Sequence, residues 1–514
     1  MIFVISTVFC SIVTCFLIVD FCVRKFTTYG LAKSIPGPYM YPIIGATNFL
    51  FSSSENKTLE IAMKFCEAFP NGFPYWTFGF FIYHCYSAES LEKILTNPKH
   101  IEKSLSYKFL NSFLGTGLLT STGEKWFNRR KLLTPAFHFS VLNGFQGTFN
   151  DQTSILISSI RETELNRSGG THLQQLISRF TLNTICESAM GVKLRRIDEL
   201  DDYRNQINRI GKLHVERITI PWMVNDWVYN TFGKGKIEHQ YVKEVHDFTG
   251  SIIDKKRKQF RSDNRKKDTS PTNDIDSDLE NKKRFAMLDT LLHAEEDHRI
   301  DAGGIQEEVD TFVFEGFDTT MTAITFILFM LASHQDVQQR LYEEIHSVVH
   351  KDDYNHCKYL DCVIKETIRL YPPVPFIGRV LGEETEIDNV KLPAKTFVHI
   401  LINVLHRDPR YFNDPEKFDP NRFLDSEFEN GAKHPFAYLP FSASHRNCIG
   451  QKFAMMELRT VVSEIVRNFV LKPITRVDEI YFGLKIPFSF NLLLDERTDN
   501  IIFLERNEMR ELNK

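Results

Sequence analysis

Residues 441–450 read Phe-Ser-Ala-Ser-His-Arg-Asn-Cys-Ile-Gly. The one cysteine in that stretch, Cys448, stands just ahead of residues 451–468, whose apolar spacing predicts an amphipathic helix. A thiol at the mouth of a helix faces the positive end of the helix dipole and free backbone N–H groups. Both favour thiolate over thiol, which makes the sulfur a metal ligand or a nucleophile. Arg446, two residues earlier, is placed to hold an anionic group of a cofactor, and Phe441 to cover the sulfur from water. A buried structural thiol is the other reading of Cys448. The rest of the chain decides between them.

The chain has 514 residues and a net charge of −4, which gives no reason to expect nucleic acid. Cys357 and Cys362 form a C-x4-C with no second half, so no zinc or iron–sulfur site is read there. The scattered cysteines fit a reducing, cytosol-facing location. Residues 2–19 carry no charge, and Phe21 to Val23 extend the run past Asp20, long enough to cross a bilayer. Arg24 and Lys25 follow at once, which places the C-terminal side in the cytoplasm. A cleaved signal peptide fits less well, because the positive charge follows the apolar run instead of preceding it. Ile35-Pro-Gly-Pro38, with Pro42 and Gly45, reads as a stiff, non-helical hinge. The expected organisation is an anchor at 1–23, a basic and proline-rich hinge at 24–45, and a catalytic body at 46–514.

Helical patterns dominate the body, with short helices at 55–70 and 87–97 and strand-like residues 73–86 between them. Residues 104–123 read as a loop. Trp126 and Arg130 follow on a helix that Pro135 ends, and at i and i+4 they share a face. An indole N–H and a guanidinium on one face suit a carboxylate; an aromatic stacked on a surface arginine is the alternative. Several helices are expected across 140–250. Residues 255–284 read as a polar surface connector, solvated or touching anionic lipid.

Residues 305–333 contain no proline and predict one long helix. Residues 311–332 are almost wholly apolar, but Glu315 and Asp318 argue against a membrane span, since each acid near a span centre costs about 2.5–3.5 kcal/mol. The helix is therefore a core helix, and acids inside a core helix need a reason. Gly316 admits a close approach or a bend, and Asp318-Thr319 is an acid–alcohol pair able to relay protons to a bound oxygen species. Residues 360–370 form a helix stopped by Tyr371-Pro-Pro373, with Glu366 and Arg369 at i and i+3. Glu164 and Arg167 share that spacing, so the pair alone says little. Strands are expected at 398–404 and 492–504, and His406-Arg-Asp-Pro409 as a plain turn.

In this order the motifs resemble the cytochrome P450 superfamily, and Glu308-Val-Asp-Thr-Phe-Val-Phe-Glu-Gly-Phe-Asp-Thr-Thr320 resembles its family 4. The chain departs at Ser444, where the family usually has Gly, at His445, where it often has Pro, and at Phe317, where family 4 commonly has His. Gly at 444 would suit φ > 0, which costs a Cβ-bearing residue about 1–2 kcal/mol.

The resemblance implies a mainly α (α+β) fold, a helical body with small β-sheets. It implies haem b with Cys448 as axial iron ligand and Gly450 beside it. Trp126, Arg130, Arg379 and Arg446 would hold the propionates, and Glu315 could become esterified to a haem methyl group. Asp318 and Thr319 would deliver protons, while Glu366, Arg369 and Arg422 (from Phe418-Asp-Pro-Asn-Arg422) form a structural triad behind the haem loop. It further implies a separate NADPH–cytochrome P450 reductase, with Arg129, Lys131 and Lys452 as docking candidates, and an endoplasmic reticulum membrane facing the cytoplasm. Expected substrates are fatty acids or related long-chain lipids, with xenobiotics, hydrocarbons and isoprenoid hormones open. Pocket walls would come from 104–119, Phe312, 374–377 and 482–488. A haem-thiolate isomerase or dehydratase, and a poorly haem-loaded binding protein, remain as alternatives.

Overall fold

The computed structural model describes residues 13–15, 18–19, 21–22, 28–41, 45–46, 64–77, 80–165, 171–194, 197–268, 286–348, 351–424, 431–473 and 500–505. Most of the expected anchor, part of the hinge, residues 269–284 and 482–488, and most of 492–504 lie outside them.

The strand-like region gives two strands, β1 (Phe73–Thr77) and β2 (Phe80–Cys85), paired antiparallel. Alternate residues of β2 are buried, as a half-covered strand requires. The sheet continues through β3 (Phe376–Val380) and β4 (Phe397–Leu401) in the order β1-β2-β4-β3. Only the β2–β4 pairing is parallel. Helix Tyr29–Ser34 packs on this sheet through Tyr29, whose ring meets Trp76 edge-on at 5.0 Å.

The helices that position the site are α1 (Gly123–Leu133), α2 (Gln146–Thr163), α3 (Leu173–Ser188), α4 (Ile197–Thr219), α5 (Gly235–Asp268), α6 (Ala302–Ser333), α7 (Lys358–Leu370) and α8 (Gln451–Asn468). Asp301 caps α6 by accepting from Gly304 N–H at 2.8 Å. Its 32 residues span about 48 Å at 1.5 Å each. The first half of α6 packs into one apolar cluster and the second half into another, with α2, α7 and α8. Its most apolar window is 83% buried, so it is the core helix its acids required and not a membrane span.

Three expectations need correction. Residues 104–114 are not loop but short helical turns, Leu105–Leu110 and Asn111–Leu114, ended by Gly115 at φ +56°. Residues 255–268 are not connector but the end of α5, because Lys, Arg and Gln are good helix formers. The strand at 398–404 stops at Leu401, and Ile402–Leu405 turns helically.

Candidate active site

The Cys448 N–H donates to Phe441 O at 2.9 Å and pinches 441–448 into a closed loop. Within it Ser442 and Ser444 both sit at φ +57°, the left-handed region. Ser444 thus carries a Cβ where glycine would be free of strain. Gly450 starts α8 at φ −89°, so its value is space and not conformation. A Cβ there would stand 3.9 Å from Cys448 Sγ, on the wall of a cavity.

The loop is braced from behind. Arg369 donates to both Glu366 oxygens at 2.7 and 2.9 Å, and Arg422 Nε reaches the same carboxylate at 3.2 Å. Arg369 also donates to the carbonyls of His406 and Pro415, both at 2.7 Å. His406 lies between Arg369 O (3.2 Å from Nδ1) and the Leu439 N–H, which donates to Nε2 at 2.8 Å. Burial pushes this imidazole down to about 3, so it stays neutral and can donate at one nitrogen while accepting at the other. His406 is therefore more than a turn residue: it couples the triad to the loop.

Between this loop and α6 lies a cavity of about 220 Å³. Trp126, Arg130, Glu315, Thr319, Phe441, Arg446, Cys448 and Gly450 line it. Two expected residues are not on its wall. Arg379 is buried, donating to Gly378 O at 3.0 Å and to Ser442 Oγ at 3.4 Å. Asp318 is buried near Tyr203 of α4, turned about 100° round the helix from Thr319. Thr319 Oγ1 donates to Glu315 O at 2.7 Å. The close approach at Gly316 is made by Ile185 of α3, whose carbons would lie 2.8 Å from an added Cβ. Phe317 is buried edge-on to Tyr203.

Lys103, which no motif marked, also lines the cavity, its ammonium 4.4 Å from the centre of the Tyr107 ring. Burial, and then Arg379 and Arg446, push Lys103 well below the usual lysine range, so Arg130 and Arg446 carry most of the positive charge at that edge. Arg446 donates to Ser121 O (2.8 Å) and Leu119 O (2.9 Å), and lies 4.7 Å from the Trp126 ring. Arg130 grips Asn447 through its carbonyl (2.9 Å) and its Oδ1 (2.7 Å). Burial, and then Arg379, bring Arg446 down to about 9. Burial raises Glu315 to about 7 against the pull of Lys103, Arg446 and Arg130.

The Cys448 sulfur opens onto the cavity, yet its depth in the protein, and then Glu315, push the thiol up to about 11. The Gly450 N–H and Arg130 act the other way and are outweighed. Arg129, expected at the surface, points inward to Glu308 at 3.6 Å; Lys131 and Lys452 are exposed.

These groups fit a haem. A cation held at the sulfur would outweigh the effect of burial, and Cys448 would then bind it as thiolate. The crowded cations at one edge suit two carboxylates, and glycine at 450 leaves room for a flat ring beside the sulfur.

The sequence model described as Cytochrome P450 matches residues 35–489. The chain is 42% identical to "Probable cytochrome P450 4ac1" of Drosophila melanogaster over 78% of its own length and 77% of that protein's. It is 40% identical to "Cytochrome P450 4p1" of the same fly, over 83% and 82%. It is also 40% identical to "Cytochrome P450 4V2" of Mus musculus, over 77% and 76%. With a cysteine loop facing a cavity under a long core helix, and relatives of this similarity, the chain belongs to the cytochrome P450 family of haem-thiolate monooxygenases, and its cofactor is haem b.

Proposed function

We propose that this monooxygenase is bound to the endoplasmic reticulum membrane and hydroxylates fatty acids or related long-chain lipids, with apolar xenobiotics as the other substrate class. The observation that carries the reading is the cavity wall. Away from the cationic edge and Glu315 it is built largely from Leu118, Phe137, Ile185, Phe312, Ala323 and Val374. Such a wall favours an apolar chain and gives it few polar handles.

Bound at Cys448, haem b supplies the activation of O2. The side chains do the rest. Cys448 would hold the haem iron as thiolate. Phe441 shields the sulfur from water, and Gly450 keeps the ring's place open. Arg130, Arg446 and Trp126 would hold the propionates, with Arg379 supporting them from behind through Ser442. Thr319 Oγ1 holds a proton on the cavity wall, and Asp318, which faces Tyr203 on another side of α6, would resupply it only through an intervening water or a movement of the helix. Glu315, on the wall and half neutral near pH 7, is the candidate for an ester to the haem. Glu366, Arg369 and Arg422 keep the loop in shape. In the net reaction one oxygen atom enters a C–H bond and the other leaves as water. The two electrons arrive singly from NADPH–cytochrome P450 reductase, for which Lys131 and Lys452 offer exposed charge.

Three features support membrane attachment: the uncharged run 2–19, the basic pair Arg24-Lys25, and exposed Trp222, Trp227 and Phe232 between α4 and α5. The organisation proposed remains anchor 1–23, hinge 24–45 and catalytic domain 46–514.

The test is the spectrum of the reduced, carbon-monoxide-bound protein, followed by turnover of long-chain fatty acids with reductase and NADPH. A strongly red-shifted Soret band and hydroxylated products support the proposal. Conversion of a hydroperoxide without O2 or reductase would point to an isomerase or dehydratase. Folded protein without haem would point to a binding protein.

A further inference from the structure

The Glu308 carboxylate is fully buried, 0% exposed, on the first half of α6, and no part of the proposed chemistry uses it. Its Oε2 accepts from the Leu118 N–H at 3.0 Å, and its Oε1 lies 3.6 Å from Arg129 Nε. Beside it, Glu307 accepts from the Thr116 N–H (3.0 Å) and Thr116 Oγ1 (2.8 Å), and its other oxygen from Lys125 Nζ (2.7 Å). Two consecutive acids thus grip the same two objects, the strap 115–121 and the helix α1.

The strap lies directly against α6. A Cβ on Gly117 would come 2.5 Å from Thr311 Oγ1 and 2.8 Å from Glu307 O, and one on Gly115 2.7 Å from Glu307 Cγ. Bonds from Thr120 N and Ser121 N to Gly117 O, at 3.2 and 2.9 Å, fold its far end into a turn. That turn presents the Leu119 and Ser121 carbonyls that receive Arg446. On α1, Lys125 and Arg129 face the acids while Trp126 and Arg130 line the cavity. Arg446 has five N–H donors in a rigid fork; the two carbonyls fix its plane and leave the other donors for the cavity.

We propose that Glu308, assisted by Glu307, is a cofactor-positioning residue: through strap 115–121 it aims the Arg446 guanidinium at the haem edge. The inference rests on the haem placement proposed above. It goes beyond that placement by assigning a role to a buried acid about two helical turns from the cavity acid Glu315 along α6's first half, acting through another side chain.

The experiment uses the full-length holoenzyme in a Glu315→Gln background, so that no side-chain ester holds the haem. Haem transfer to excess apomyoglobin is followed by absorbance. Glu308→Ala should speed transfer about tenfold, while Glu308→Gln, which keeps an acceptor for Leu118 N–H, should stay within about threefold of its parent. Arg446→Lys, which loses the fork, should itself speed transfer, and adding Glu308→Ala to it should change the rate by less than about twofold. If Glu308→Ala does not yield folded holoenzyme, Glu307→Ala at the more exposed end of the strap gives the same comparison with a smaller effect. An unchanged rate in Glu308→Ala overturns the inference. So does a full tenfold effect persisting in Arg446→Lys, which would make Glu308 structural only. Parent protein that never takes up haem refutes the placement instead.

Discussion

Two buried acid–arginine clusters flank the cavity, and they are built on opposite principles. Behind the cysteine loop, Glu366, Arg369 and Arg422 are surrounded by carbonyls and N–H groups, and the Asp419 N–H adds a further bond to Glu366 at 2.9 Å. Under the strap, Glu308 Oε1 and Arg129 Nη1 are both buried without a hydrogen-bond partner among the described residues. The first pair makes close bidentate contact; the second stays 3.6 Å apart. A saturated cluster fixes one geometry. A half-satisfied one remains titratable, and burial accordingly raises Glu308 to about 7.

The largest effect should come from breaking the saturated cluster. Arg369→Leu removes both close guanidinium bonds to the buried Glu366 carboxylate and leaves Arg422 as its one cationic partner among the described residues. The loss should be about 3–5 kcal/mol, with little or no protein showing the thiolate-type carbon-monoxide spectrum. A variant with a normal spectrum and melting temperature would mean the cluster carries no structural load.

The half-satisfied cluster should show itself as a pH dependence. Glu308 has a folded pKa above its ordinary value of 4.5, so the fold prefers its protonated form. Its contribution is fully present below about pH 4.5 and is lost as pH rises through about 7, a drop of up to about 3 kcal/mol. Glu308→Gln has no such titration. Thermal unfolding of both proteins from pH 5 to pH 8 should therefore show the wild type losing ground to the variant as pH rises. Parallel curves would sink the idea.

The link between triad and loop comes next in size. His406→Ala leaves the buried Leu439 N–H without its acceptor and removes the donor to Arg369 O, which should cost about 1–3 kcal/mol. His406→Gln, able to donate and accept, should recover part of it. Equal losses in both variants would show that ring packing against Tyr438, at 5.1 Å, matters more than the two hydrogen bonds.

The contrast between the clusters also explains what could be read from the chain. Glu366 and Arg369 are one helical turn apart, and the cysteine loop is contiguous, so their geometry is local and legible in the sequence. The length and burial of α6 were legible because its apolar run leaves no exposed face. Arg129 and Glu308 are distant in sequence, and nothing near Arg129 signals that it turns inward. Lys103 and His406 likewise owe their positions to contacts that only the tertiary fold creates. Asp318 and Thr319 are neighbours in sequence but not on one face, because a helix turns about 100° between them. The raised pKa of Cys448 shows the same limit: the helix mouth was visible in the sequence, and the depth of burial that outweighs it was not.

Ser442 and Ser444 give the finest test, since both hold φ +57° in the loop that the saturated cluster braces. A left-handed residue with a Cβ is strained by about 1–2 kcal/mol, and glycine would relieve it. Glycine also loosens the unfolded chain, which offsets about 0.5–1 kcal/mol. Ser444→Gly should therefore gain less than about 1 kcal/mol, seen as a rise of about 1 °C in melting temperature. Ser442→Gly should gain nothing, because it also removes the Oγ that Arg379 reaches at 3.4 Å. Differential scanning of the two variants side by side separates strain from side-chain bonding. Should Ser444→Gly melt lower than wild type, the bracing behind the loop has already absorbed the strain, and the serine is held in its left-handed turn at no net cost.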